Sequence, residues 1–206
     1  MQDLKQSLAV LSDFRIEPLQ VMPAITELEL LRLIASGDPL AFKTVYGEWK
    51  GPIYRFAWHM CGNLPVAEEV MQDTFLALIN KPSAFDPGKG GLGSYLFGIA
   101  RNILYKRMRN DFATHASEPI EDDIPSTGPD PWAALSHQDL IETVRAAVLS
   151  LPMPYREAVA LCDLEEFSYQ AASIALDCPV GTVRSRLSRG RLLLGMKLKE
   201  FARIDH

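Results

Sequence analysis

Four residues near the C-terminus set the first chemical expectation. At about 100° of rotation per residue, Arg184, Ser185, Ser188 and Arg189 fall in one sector of a helix, and Val183, Leu187, Gly190 and Leu194 fall in the opposite one. Two guanidinium forks and two hydroxyls on one face can donate to phosphates and to base edges, while the apolar sector faces a core. Arg186 and Arg191 flank the polar sector toward the backbone phosphates. The chemistry expected is recognition of duplex DNA. A second basic stretch, Arg101, Lys106, Arg107 and Arg109, follows a loop from Lys81 to Gly93 that holds two prolines and four glycines around Phe85 and Lys89. A third set is acidic and polar: Glu69, Gln72 and Asp73 share a helix face opposite Ala67, Met71, Phe75 and Leu78.

These side chains need helices to hold them. A helix-turn-helix requires two short helices joined by a tight turn and packed through small residues. Ser168 to Leu176 supplies the first helix with Ala171, Ala172 and Ala175, Asp177 to Val180 the turn, and Gly181-Thr182 the start of the second. In the first half, TELELLRLIASG from Thr26 to Gly37 reads as a helix with an N-cap threonine, Glu29 three residues later and a terminal glycine. Asp38-Pro39 opens the next helix, which Gly51-Pro52 is expected to interrupt before a third run from Ile53 to Met60. A helix from Val66 to Asn80 carries the acidic face. A further one, from about Ser94 to Met108, turns Leu96, Ile99 and Ile103 inward and the first basic patch outward. From Asp111 to about Trp132 six acids and four prolines occur without Lys or Arg, as in an interdomain linker. Helices are expected again from His137 to Leu149 and from Leu151-Pro152 through Asp163. Strand signals are scarce. The fold expected is all-α, two small helical domains joined by an acidic, Pro-rich linker.

Composition bounds the function. The net charge is −5, yet the two patches, the C-terminal one extended to Lys197 and Lys199, hold ten of the 21 basic residues, leaving 11 to face 26 acids elsewhere. Phosphate contact is local, so two basic faces on an acidic body suit a protein that meets DNA at two places and something else between them. Cys61, Cys162 and Cys178 form no CxxC and no zinc spacing with histidine, and read as reduced thiols. His59 and Cys61, two residues apart on a helix, do not converge on one metal. The first 25 residues carry charges where a secretory segment needs an unbroken apolar run, and no stretch is long enough to span a membrane, so the chain reads as cytoplasmic. No grouping of nucleophile, base and orienter, no phosphate loop and no metal grid suggests an enzyme, and no cofactor is implied.

The run PVGTVRSRLSRGRLLL, Pro179 to Leu194, resembles the promoter-reading helix of the small extracytoplasmic-function sigma factors of bacterial RNA polymerase. Leu151-Pro152 with Tyr155-Arg156-Glu157 is similar to the opening of the same domain. Ser36-Gly37-Asp38 with Ala41-Phe42, AEEVMQDTFLALI from Ala67 to Ile79, Tyr95-Leu96 and Ile99-Ala100-Arg101-Asn102 match the group's other domain in order and spacing. The resemblance implies residues 1–25 as an extension outside the family pattern, 26–110 as the polymerase-binding and melting domain, 111–136 as connector and 137–206 as the helix-turn-helix domain. It implies that Glu69, Gln72 and Asp73 grip core polymerase. Phe85, Lys89, Tyr95, Arg101, Asn102 and Lys106 would open the −10 element, capturing a flipped base in an unstacked pocket with a cationic rim. Thr182, Arg184, Ser185, Arg186, Ser188, Arg189 and Arg191 would read the −35 element. The implied partners are core polymerase, promoter DNA and an anti-sigma factor. Tyr95 and Leu92 stand where aromatics, a tryptophan at 95, are usual, and Ala171 and Ser173 where glutamate and alanine are usual. The competing reading is a dimeric helix-turn-helix regulator that is not a polymerase subunit, but a sensor half would need neither the Glu69/Gln72/Asp73 face nor a basic helix after a glycine loop.

Overall fold

The computed structural model describes residues 25–114 and 137–204, and among them every regular element is helical. The expected extension, residues 1–25, falls outside that description up to residue 24, and the linker falls outside it from 115 to 136. Among the described residues eight α-helices form two groups: α1 (Glu27–Ala35), α2 (Pro39–Cys61), α3 (Leu64–Asn80) and α4 (Leu92–Thr114), then α5 (His137–Leu149), α6 (Met153–Val159), α7 (Tyr169–Ala175) and α8 (Val180–Ile204).

Local chemistry sets most boundaries. Thr26 accepts from the Glu29 N–H, Asp38 from the Leu40 and Ala41 N–H groups, Asn63 from Val66 and Ser168 from Ala171, each satisfying donors that a helix start leaves open. Gly62, at φ 69°, ends α2 in the left-handed region. α4 is capped from a distance: the Glu27 carboxylate of α1 accepts from the Leu92 N–H at 2.9 Å, placing negative charge at a helix N-terminus.

Gly51-Pro52 does not interrupt α2, contrary to the sequence expectation. Pro52 removes one ladder donor and crowds the carbonyl four residues back. Val45, Ile53, Phe56, Ala57 and Met60 lie on one face across that point and are buried, so core packing holds the helix continuous. The inner face of α3 keeps three of the four expected residues and widens toward Val70 and Thr74. Val70 and Thr74 are buried with Ala67, Phe75 and Leu78, whereas Met71 is only partly buried. In α4 the buried set is Leu92, Leu96, Phe97, Ala100 and Leu104, and Ile99 and Ile103 lie at its margin. α6 passes directly into a π-helical turn, Ala160–Leu164, before α7.

The two groups share a core. Ala160, Leu161, Ala172, Ala175, Leu176 and Val183 of the second group belong to the same buried cluster as Phe56, Leu96 and Phe97 of the first. Phe97 meets Phe167 at 4.7 Å between ring centroids. Arg156 reaches across from α6 to the Met60 carbonyl at 2.6 Å while also donating to the Leu149 and Leu151 carbonyls. A smaller second cluster, Leu151, Ala158, Val159 and Leu187, fixes α8 on α6.

Candidate nucleic-acid interface

The helix-turn-helix is built from α7, a turn through Leu176–Pro179 and α8. Asp177 takes φ 49°, a left-handed conformation that a short polar side chain tolerates, and this reverses the chain within four residues. Close approach of α8 to α6 depends on Gly190. A Cβ there would stand 2.8 Å from a Val159 methyl and 3.1 Å from the Tyr155 carbonyl. With Val183 and Leu187 also buried, the apolar sector drawn from the sequence is the sector that packs.

The opposite face of α8 is open: Arg184, Ser185, Ser188 and Arg189 are exposed, and Thr182 and Arg186 are partly so. Two of the basic side chains are steered by neighbours. The Arg184 guanidinium lies 5.5 Å from the centre of the Tyr169 ring on α7, a cation–π contact that orients it. Arg186 donates to the Cys178 sulfur at 3.8 Å. Arg191 is committed to the protein itself, donating to both Asp163 oxygens at 2.6 and 3.1 Å, and that carboxylate raises its pKa.

The second site surrounds a cavity of about 270 Å³ lined by Phe85, Lys89, Tyr95, Gly98 and Asn102 from the first group and by Ile174 from α7. Its members differ in exposure. Phe85 is buried and packs against Tyr95 in a tilted ring contact, 5.6 Å between centroids, so it forms a wall beneath Tyr95 and does not project. Lys89 extends into solvent, 3.9 Å from Asp86, and Asn102 and Lys106 are exposed. Arg101 turns away from solvent: its Nε donates to Glu157 of α6 at 2.5 Å, and its guanidinium lies 4.8 Å from the Tyr105 ring centre. Burial works against the Arg101 charge and Glu157 outweighs it, leaving its pKa raised. A wider groove of about 720 Å³ runs along the same seam between Trp49, Arg55, Ser94, Glu165 and Phe167. There Arg55 donates to both Glu165 oxygens at 3.1 and 2.7 Å. Burial pushes the Glu165 carboxyl up, and Arg55 pulls it partly back.

The third set is organised by a residue whose role the sequence did not reveal. Arg107 of α4 bridges Glu69 and Asp73 of α3, donating to Asp73 at 2.6 Å and also to Glu69. Gln72 donates to Glu68 at 3.3 Å and remains exposed. Arg107 was visible only as one charge in a basic run; nothing in a separation of 34 or 38 residues announces the pairing. Glu157 and Ile174 are further such residues. Among the described residues no three His, Cys, Asp or Glu side chains gather as metal ligands, and no helix is long and apolar enough to cross a membrane.

This geometry has known counterparts. Sigma-70 region 2 matches residues 45–111 and sigma-70 region 4 matches residues 141–194. The extracytoplasmic-function RNA polymerase sigma factor EcfG of Rhodopseudomonas palustris is 32% identical over 146 residues, covering 69% of this chain and 77% of that protein. The corresponding factor SigE of Mycolicibacterium smegmatis is 33% identical over 141 residues, covering 68% of this chain; the match spans 54% of that longer relative. Among solved structures, the sigma factor RpoE of Bartonella quintana, crystallised with the anti-sigma factor NepR, superposes with a TM-score of 0.63 at 29% identity, over 77% of this chain and 96% of that one. The two matched regions, the all-helical fold and the exposed basic face of α8 agree: this chain belongs to the extracytoplasmic-function RNA polymerase sigma factors, transcription initiation factors that direct polymerase to promoters.

Proposed function

We propose that this chain binds core RNA polymerase through Glu69, Gln72 and Asp73, reads the −35 element with the outer face of α8, and opens the −10 element with the cavity beside α4. The observation that carries the reading is the division of α8, with Val183, Leu187 and Gly190 buried and Arg184, Ser185, Ser188 and Arg189 in solvent. That face supplies base-edge donors, and Thr182 and Arg186 supply contacts toward phosphates, with Arg191 joining them when it leaves Asp163. In the second site Tyr95 and Asn102 border a space that can take an unstacked base, with Lys89 and Lys106 as its cationic rim and Arg101 joining them when it leaves Glu157. The division of labour follows residues 26–110 and 137–206, with 111–136 as connector. The chain acts in the cytoplasm as a subunit without catalytic groups of its own, and an anti-sigma factor is its natural regulator.

Run-off transcription with purified core polymerase on a promoter library tests this reading. Promoter-selective transcripts are expected, and the enriched sequences give both elements. Reversing Gln72 and Asp73 to Lys should abolish co-purification with core polymerase while leaving the helical circular dichroism unchanged. Normal core binding by that variant removes the acidic face from the account, and a chain that binds duplex selectively yet never joins core would instead be a free-standing regulator.

A further inference from the structure

Arg184 and Arg191 stand about two turns apart on α8 and share one edge of that helix, the edge turned toward α7 and the π-helical turn. The two are held by opposite means. Arg191 donates to both Asp163 oxygens, so that carboxylate occupies the donors through which it would reach a phosphate or a base. Arg184 meets a ring instead: its guanidinium carbon lies over Tyr169, 5.5 Å from the ring centre. A π-face attracts the cation while leaving the N–H donors of its fork available. Among the described residues the Arg184 side chain gives none of them to a carboxylate or carbonyl.

The ring is itself well placed to act as a support. Tyr169 is the first residue of α7, whose start is capped by Ser168 accepting from the Ala171 N–H at 3.1 Å and whose inner side, Ala172, Ser173 and Ala175, is buried. At 38% exposed, Tyr169 stands at the rim of the helix-turn-helix and not in its core. Arg189, exposed in the same polar sector of α8 as Arg184, has no ring beside it among the described residues. An arginine that is free in solvent loses rotamer freedom when a base edge fixes it, and one already seated over a ring has less to lose. Of the two guanidinium forks on the reading face, one is therefore preset and one is not.

We propose that Tyr169 is a positioning residue for promoter selection: its ring holds the Arg184 guanidinium in one orientation and so sharpens the preference for guanine at a single position of the −35 element. The proposal rests on the reading of the outer face of α8 as the −35 contact. Guanine is the base whose O6 and N7 acceptors match a guanidinium fork in the major groove. Because the ring acts through its π-face, the phenol hydroxyl takes no part, and phenylalanine serves where an aliphatic residue does not. Arg189, without such a support, makes the more adaptable contact of the two.

The test uses the full chain with purified core polymerase on a promoter library randomised across the −35 element. Transcripts are counted by sequencing, and the unfolding midpoint of each variant is followed by circular dichroism. Arg184→Ala should erase the guanine preference at one position, which identifies the base pair this arginine reads. Tyr169→Leu and Tyr169→Met should each lower the guanine preference at that position by about two- to fivefold, leave every other position within about 1.5-fold and leave the midpoint unchanged. Tyr169→Phe should match the parent. Tyr169→Leu combined with Arg184→Ala should lose no more than Arg184→Ala alone, because the ring acts only through that side chain. The positioning role is overturned if Tyr169→Leu and Tyr169→Met keep the full preference, lose it evenly at all positions or unfold at a lower midpoint. It is equally overturned if Tyr169→Phe loses as much as Tyr169→Leu, or if the double variant loses more than Arg184→Ala. In each of those cases a loss at one position in Arg184→Ala leaves the reading face standing. If Arg184→Ala shifts no position, the reading face fails and the role of Tyr169 fails with it.

Discussion

The outer face of α8 and the α4 side of the glycine loop are both basic in sequence, yet the fold treats them in opposite ways. On α8 the arginines of the polar sector project from a helix whose other side is anchored by Val183, Leu187 and Gly190. On α4 the central arginine is turned inward onto Glu157 and Ile174 of α7 lines the neighbouring cavity. The difference teaches that a basic residue is a DNA contact only after its intramolecular partners are counted. Arg191 and Arg107 make the same point: each sits in a basic run, and each is already paired with carboxylates.

The largest expected effect breaks the support of the open face. Leu187 is buried between α8 and α6, and Leu187→Ala should lower the stability of the C-terminal group by about 2–5 kcal/mol, read by urea unfolding followed through circular dichroism. A loss below about 1 kcal/mol would mean that α8 is held by something other than its apolar sector. Next, Arg184→Ala and Arg189→Ala should each cost about 1–3 kcal/mol in discrimination between cognate and scrambled −35 duplexes, measured by competition binding, with little change in unfolding midpoint. Unchanged discrimination in both would move the reading face elsewhere. Arg107→Ala should cost only about 0–1 kcal/mol of stability, because its pairs with Glu69 and Asp73 are largely exposed, but it should lower affinity for core polymerase by loosening that face. Smallest is a chemical reporter at the seam. Burial pushes the Cys162 thiol up to about 11, so alkylation of Cys162 should be slow at pH 7 and climb about tenfold per pH unit toward that value. A plateau near pH 9 would show a solvated thiol.

Where spacing carried the information, the sequence read true. The 3.6-residue pattern around Val183 to Leu194 identified both faces of α8, and Thr26 and Asp38-Pro39 marked helix starts by capping chemistry. The failures share a cause in contacts between distant segments. Gly51-Pro52 looks like a break until the burial of Ile53 and Phe56 is known. Nothing in the loop's composition shows that Phe85 is buried against Tyr95. The Arg101–Glu157 pair joins residues 56 apart across two groups that the sequence presents as separate domains. Local periodicity cannot encode which surfaces of two such groups meet.

Hydrogen exchange of the full chain, free and bound to core polymerase, tests the contrast between the two basic faces most directly. Amides of 94–102 in α4 and 169–175 in α7 should be protected in the free chain and exchange at least about tenfold faster once polymerase is bound, while those of α8 from 183 to 190 keep their protection in both states. Equal protection of α4 and α7 with and without polymerase would show that the two groups never separate, and the assignment of a covered site beside an open one would be wrong.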